Sequence, residues 1–181
     1  MKVAKRISAL LALVVSAMVF SAGLAYADVT SPNGSARILS GAISENVDLD
    51  EGVTSVVLDG VTMENDARIR IMAEQATVTV ADGSSNKIAA LEGMGSLDFQ
   101  GSGDLTGTSI FAMSGLIFNG TGSYSFPSGG ILNLSGEMAF NSGTFDVSSG
   151  GDTGYAVASG GGNISLNGAN LNLHGRISAL Y

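Results

Sequence analysis

Four acids crowd one short stretch of this chain, Glu45, Asp48, Asp50 and Glu51, and two arginines alternate a little further on, Arg68 and Arg70. In an extended segment alternate residues point to the same side, so Asp48 and Asp50 would share a face. Ca²⁺ takes six to eight oxygens, several of them from converging carboxylates, and with Asp59 on a following strand this cluster could supply a calcium site. The same acids could equally be a solvated edge that keeps another chain from pairing with an exposed strand, which is the simpler use. Arg68 and Arg70, near Asp66, could hold an anionic sugar; an exposed stripe of ion pairs, individually weak, asks for fewer coincidences.

Other chemistry is thinly represented. His174 is the sole histidine and the chain has no cysteine, so no zinc set can be assembled, and no G-x-S-x-G elbow occurs. Glycoside hydrolysis needs two carboxylates facing each other across a cleft, and Asp98 and Glu137 qualify only as acids in the right half of the chain. Sugar binding often recruits aromatic faces. Phe99, Phe118, Phe140 and Phe145 fall on an alternating apolar row and read as an internal ladder, whereas Tyr124 and Tyr155 carry a polar tip and are the aromatic residues a ligand could use. The expectation is a protein without catalysis.

What would position these residues is a degenerate repeat. Leu97-x-Phe99-x-Gly101 begins a unit that returns at Leu116, Met138 and Ile164, with starts 19, 22 and 26 residues apart. Between units lies a second element, Thr108-Ser109-Ile110, Gly129-Gly130-Ile131 and Thr153-Gly154-Tyr155. Each coil would hold about three short strands. No unit can bury its apolar row alone, so neighbours must stack, and glycine at the corners supplies backbone angles that other residues resist. The prediction is an all-β, single-stranded, right-handed parallel β-helix. Asn119, Ser123, Asn133, Asn141, Ser165, Asn167 and Asn172 recur beside the apolar positions, where they could stack as internal amide ladders at corners, the favoured use, or meet the hydroxyls of a glycan.

The first 27 residues have a basic start (Lys2, Lys5, Arg6), an apolar run from Ile7 to Leu24 and the exit Ala25-Tyr26-Ala27. They read as a helical signal peptide cleaved before Asp28. Residues 28–40, with the turn Ser31-Pro32-Asn33-Gly34, are expected to be an irregular leader, and residues 41–181 the β-helix domain. Three of the eight basic residues and none of the sixteen acids lie in the signal, which leaves five against sixteen, a net charge of −11. Such a chain is a poor partner for nucleic acid or anionic lipid, and no membrane association is expected after cleavage. Without cysteine, stacking and burial must hold the exported fold.

Val53 to Met63, the run Ala76-Thr77-Val78-Thr79-Val80-Ala81-Asp82-Gly83, and Leu97 to Leu105 together resemble the bacterial β-helix proteins described as carbohydrate-binding domain-containing, a likeness that extends from about Val53 to Leu173. The resemblance implies a pectate-lyase-like parallel β-helix, secretion, polysaccharide binding, and calcium at acidic corners. The corners of this chain depart from that pattern: Thr108-Ser109 and Gly129-Gly130 carry no acid, and only Asp152 keeps a carboxylate. Lyases of this fold need clustered acids with an arginine or lysine base in the same groove, and the mature basic residues are few. The expectation is therefore a secreted or surface protein that binds a polysaccharide or cell-surface glycan. The rival is a structural, adhesin-like solenoid that self-associates through its open ends. The tentative sites are Tyr124, Tyr155, Arg68 and Arg70 for carbohydrate and Asp152, Asp48 and Asp50 for metal.

Overall fold

The computed structural model describes residues 34–149 and 154–179. The expected signal peptide, the expected leader up to residue 33, and Asp152 lie outside them.

The described residues contain strands and turns but no helix, wound into a right-handed parallel β-solenoid of about seven turns. Coil one is β1 (Ala36–Ile43) and β2 (Val47–Leu49), and coil two is β3 (Ser55–Met63) and β4 (Arg68–Ile71). From coil three onward each turn has three strands: β5 (Gln75–Val80), β6 (Ser85–Lys87) and β7 (Ala90–Gly93), then β8 (Ser96–Gly101), β9 (Asp104–Thr106) and β10 (Ser109–Ala112). Coil five is β11 (Gly115–Phe118), β12 (Ser123–Phe126) and β13 (Ile131–Asn133); coil six is β14 (Met138–Phe140), β15 (Thr144–Ser148) and β16 (Tyr155–Ser159). Coil seven is β17 (Ile164–Leu166), β18 (Asn170–His174) and β19 (Arg176–Ala179).

Three faces result. β5, β8, β11, β14 and β17 form the first, β6, β9, β12, β15 and β18 the second, and a separate seven-stranded sheet running from β2 to β19 the third. The long strands β1 and β3 cross the corner between the first two faces. β3 pairs with β5 through Ser55–Leu58 and with β6 at Thr62, bending at Gly60, whose φ of 71° suits glycine. Because β1 starts at Ala36 and pairs with β3 from Ser55 onward, strand structure begins inside the stretch expected to be irregular. Within it Ile38 is half-buried and Leu39 turns inward.

The repeat units align as their sequences suggest: Leu97, Leu116, Met138 and Ile164 are successive register partners. Turns of different length between them absorb the drift in spacing. Inward positions are almost wholly shielded, among them Leu58, Ile69, Leu91, Phe99, Ile110, Phe118, Phe140 and Phe145. Phe99, Phe118 and Phe140 stack with centroids 4.9 and 5.1 Å apart and near-parallel planes. Phe145 stacks on Tyr124 at 4.7 Å and meets Phe118 and Phe140 edge-on, each at 5.0 Å. Each such pair adds about 0.5–1.5 kcal/mol beyond area burial. Along the third face one inward column runs Ile71, Gly93, Ala112, Asn133 and Ser159; a Cβ on Gly93 would come within 2.7 Å of Leu97 Cγ.

Candidate functional site

Tyr124 is core. It is 1% exposed, since in β12 it shares parity with Phe126 while Ser123 and Ser125 face out. Two glycines make room for it. A Cβ on Gly120 would strike its hydroxyl, and one on Gly143 would stand 3.1 Å from its Cε2. The hydroxyl has no hydrogen-bond partner, and burial, helped by the negative charge of Asp98, pushes its pKa up to about 12. A side chain sealed in this way cannot stack on a sugar. Tyr155 is half-buried at the head of β16, in register with Arg176.

The arginines face outward, but their partners are not Asp66. Arg68 Nη1 donates to Glu92 Oε1 at 3.3 Å, Arg70 Nε donates to Glu92 Oε2 at 3.2 Å, and Arg70 Nη1 lies 3.6 Å from Asp48 Oδ1. β2, β4 and β7 are adjacent, with Asp48, Arg70 and Glu92 in one register row. The row is a ladder of alternating charge across three coils, and Asp66 instead sits in a tight turn with a left-handed backbone. Asp48 is thus engaged by a guanidinium, and Asp50 follows β2 with its carbonyl accepting from Val53 N at 2.9 Å. Among the described residues no three acids, histidines or cysteines are grouped to hold a metal. A cleft of about 260 Å³ opens on the first coil beside Arg37, Glu45, Asp48 and Asp50.

The outer rows beyond these are polar and in register. At the end of the first face Asn119, Asn141 and Asn167 form an amide ladder: Asn141 Nδ2 donates to Asn119 Oδ1 at 2.8 Å and Asn167 Nδ2 to Asn141 Oδ1 at 2.6 Å. Asp98 caps it, accepting from Asn119 at 2.8 Å and from Gln100 at 3.0 Å. The ladder lies on the outside, while Asn133, like Asn86, turns inward, its Nδ2 donating to Gly136 O at 3.1 Å. On the second face two rows run side by side. Asp104, Ser123, Thr144 and Asn170 make one, and Thr106, Ser125, Asp146 and Asn172 the other. Asn172 donates to Asp146 Oδ1 at 3.0 Å, and exposed His174 stands 3.6 Å from the same oxygen.

No family model, curated protein or solved structure matches the chain. The likeness to carbohydrate-binding β-helix proteins therefore reaches the architecture, a parallel β-solenoid, and stops there.

Two features escaped the sequence reading. One is the identity of the arginines' partners, which depends on coil-to-coil register. The other is a row of methionines, Met72, Met94 and Met113, along one corner.

Proposed function

We propose that the chain is an exported, non-catalytic binding rod whose second face holds a neutral polysaccharide or cell-surface glycan. The observation that carries this reading is the pair of in-register rows on β9, β12, β15 and β18, repeated at the strand spacing of about 4.8 Å. Serine, threonine, asparagine and aspartate along both rows present donors and acceptors at regular intervals on a flat sheet. A polymer of hydroxyls lying across such a face gains many small, additive contacts, and its affinity grows with the number engaged. The acidic balance of the mature chain argues against a polyanion as ligand. On this face no aromatic side chain points outward, because Tyr124, Phe126 and Phe145 belong to the core.

A second reading, a structural solenoid that stacks end to end, is favoured by coil seven. There the inward row stands uncovered, with Leu166 55% and Ile177 50% exposed, whereas Phe140 and Val157 in the preceding coil are buried. A coil from another copy would cover it.

The test is retention of residues 28–181 on immobilised neutral polysaccharides, with calcium and then with a chelator. Retention should be lost in Ser125→Arg/Asn172→Arg at unchanged melting temperature and kept in Ser165→Arg on the first face. Retention on no polymer overturns the binding reading and leaves the structural one. Loss on chelation alone would return the acids to consideration.

A further inference from the structure

We infer that two copies of this chain pair side by side, solenoid axes parallel, through an apolar ridge at the corner where the third face meets the first. The register partners Ile71 and Gly93, Gly93 and Ala112, and Ala112 and Asn133 place the residues that follow them, Met72, Met94, Met113 and Leu134, one above another. Backbone bonds tie these rungs: Met94 N donates to Ile71 O at 2.9 Å, Met113 N to Gly93 O at 3.0 Å and Leu134 N to Ala112 O at 2.9 Å. Met72 is 41% and Leu134 52% exposed. Three of the five methionines beyond the expected signal peptide stand in this one row, and the adjoining outward positions of the third face change from Arg70 and Glu92 to Phe111 and Leu132.

Elsewhere the outward rows are mostly polar or charged, with Ile38, Val57 and Ile117 as apolar exceptions, and the interior is already filled, so the core does not account for this ridge. Four rungs span about 14 Å. An apolar strip of that length is a few hundred Å², the scale of a functional patch on a monomer, and it is the right size for the apolar centre of an interface that covers about 800 Å² per partner with a polar rim. Methionine side chains are flexible and polarizable, which suits them to meshing with an identical row.

Charge favours one direction for a second copy. At the level of Met72 the third-face side of the ridge is charge-balanced, with Arg68 and Arg70 paired there to Glu92 and Asp48, while Glu51 and Glu74 border Met72 on the other. With the two-fold parallel to the solenoid axes, each copy's charge-balanced side meets the other's glutamate side, and every rung meets its own counterpart. The antiparallel arrangement would instead set the Glu74 side of one copy against the side of the other that carries exposed Glu137. Pairing at this corner leaves the second face of both copies open, so it doubles the polar rows available to a polymer and is independent of whether one binds.

The experiment is sedimentation equilibrium on residues 28–181 with Met72→Glu/Leu134→Glu beside the parent. The parent should show a closed monomer–dimer equilibrium, and the variant, altered only at exposed positions, a dissociation constant at least about tenfold weaker with an unchanged melting temperature. As the chain lacks cysteine, Met94→Cys should oxidise to a covalent dimer, and Ser123→Cys on the second face should not. A parent monomeric at all concentrations, a dimer indifferent to the double substitution, or open-ended oligomers in both would overturn the inference.

Discussion

Replacing Tyr124 by phenylalanine removes one oxygen from the most enclosed part of the molecule, and the sign of the effect separates a core residue from a ligand-binding one. The hydroxyl is buried without a partner, and such a group costs about 1–3 kcal/mol. The ring stacked on Phe145 and set edge-on to Phe118 stays in place. Tyr124→Phe should therefore stabilise the fold by about 1 kcal/mol at neutral pH, a rise of about 2–4 °C in melting temperature for a chain of this size. Alkali should widen the gap. The folded state holds the phenol neutral up to about pH 12, whereas the unfolded chain ionises it near pH 10. The stability tied to the neutral phenol is complete below pH 10 and is lost as pH climbs from 10 towards 12, in the parent alone. At pH 11 the gap should be wider than at pH 7 by about 1 kcal/mol. Urea unfolding of both proteins at pH 7 and pH 11, followed by circular dichroism, measures it. A variant less stable than the parent at pH 7, or two proteins whose difference is unchanged at pH 11, would refute the placement of this hydroxyl in a sealed, unpaired site.

Phe118→Ala, at the centre of the ring cluster, should cost about 3–5 kcal/mol, read as a lower denaturant midpoint or failure to accumulate folded protein. Arg70→Ala breaks the contacts to Glu92 and Asp48 in a half-exposed row and should cost under about 1 kcal/mol, shrinking further in high salt, with no change in glycan retention. Gly103→Ala should be severely destabilising, since the new carbon would press on the carbonyl of Ala81 and within 2.8 Å of Ser84 Oγ. Gly83→Ala, in open space at φ 70°, should cost only about 1–2 kcal/mol. Thermal melts of the pair distinguish crowding from backbone conformation.

The repeat was legible because its apolar residues keep parity within each strand. Leu97, Phe99, Leu116 and Phe118 announce their inward rows without knowledge of the turns. The same parity puts Tyr124 beside Phe126 in the core, and its polar tip was a misleading signal, since two nearby glycines make room for the whole ring. What could not be read was adjacency across coils. Met72, Met94, Met113 and Leu134 are separated by 22, 19 and 21 residues, and Arg68 meets a glutamate 24 residues away. Only the unequal corners, fixed by packing between coils, decide such meetings. Asn119 and Asn141 shared that ambiguity, with the ladder itself foreseeable and its exterior position not.

The aromatic cluster is confined to coils four to six, with aliphatic side chains filling the coils before it. In a stack whose turns touch only their neighbours, stability is a sum of local terms, so the molecule has a gradient along its axis. Amide protons of β8, β11, β12 and β14 should exchange slowest and those of β17 and β19, whose inward residues are the most exposed, fastest, with opening travelling towards an aromatic segment that holds. Mechanically, the rod is a stiff aromatic section flanked by more compliant coils, and the charged ladder of Asp48, Arg70 and Glu92 lies along the aliphatic coils on one side of it.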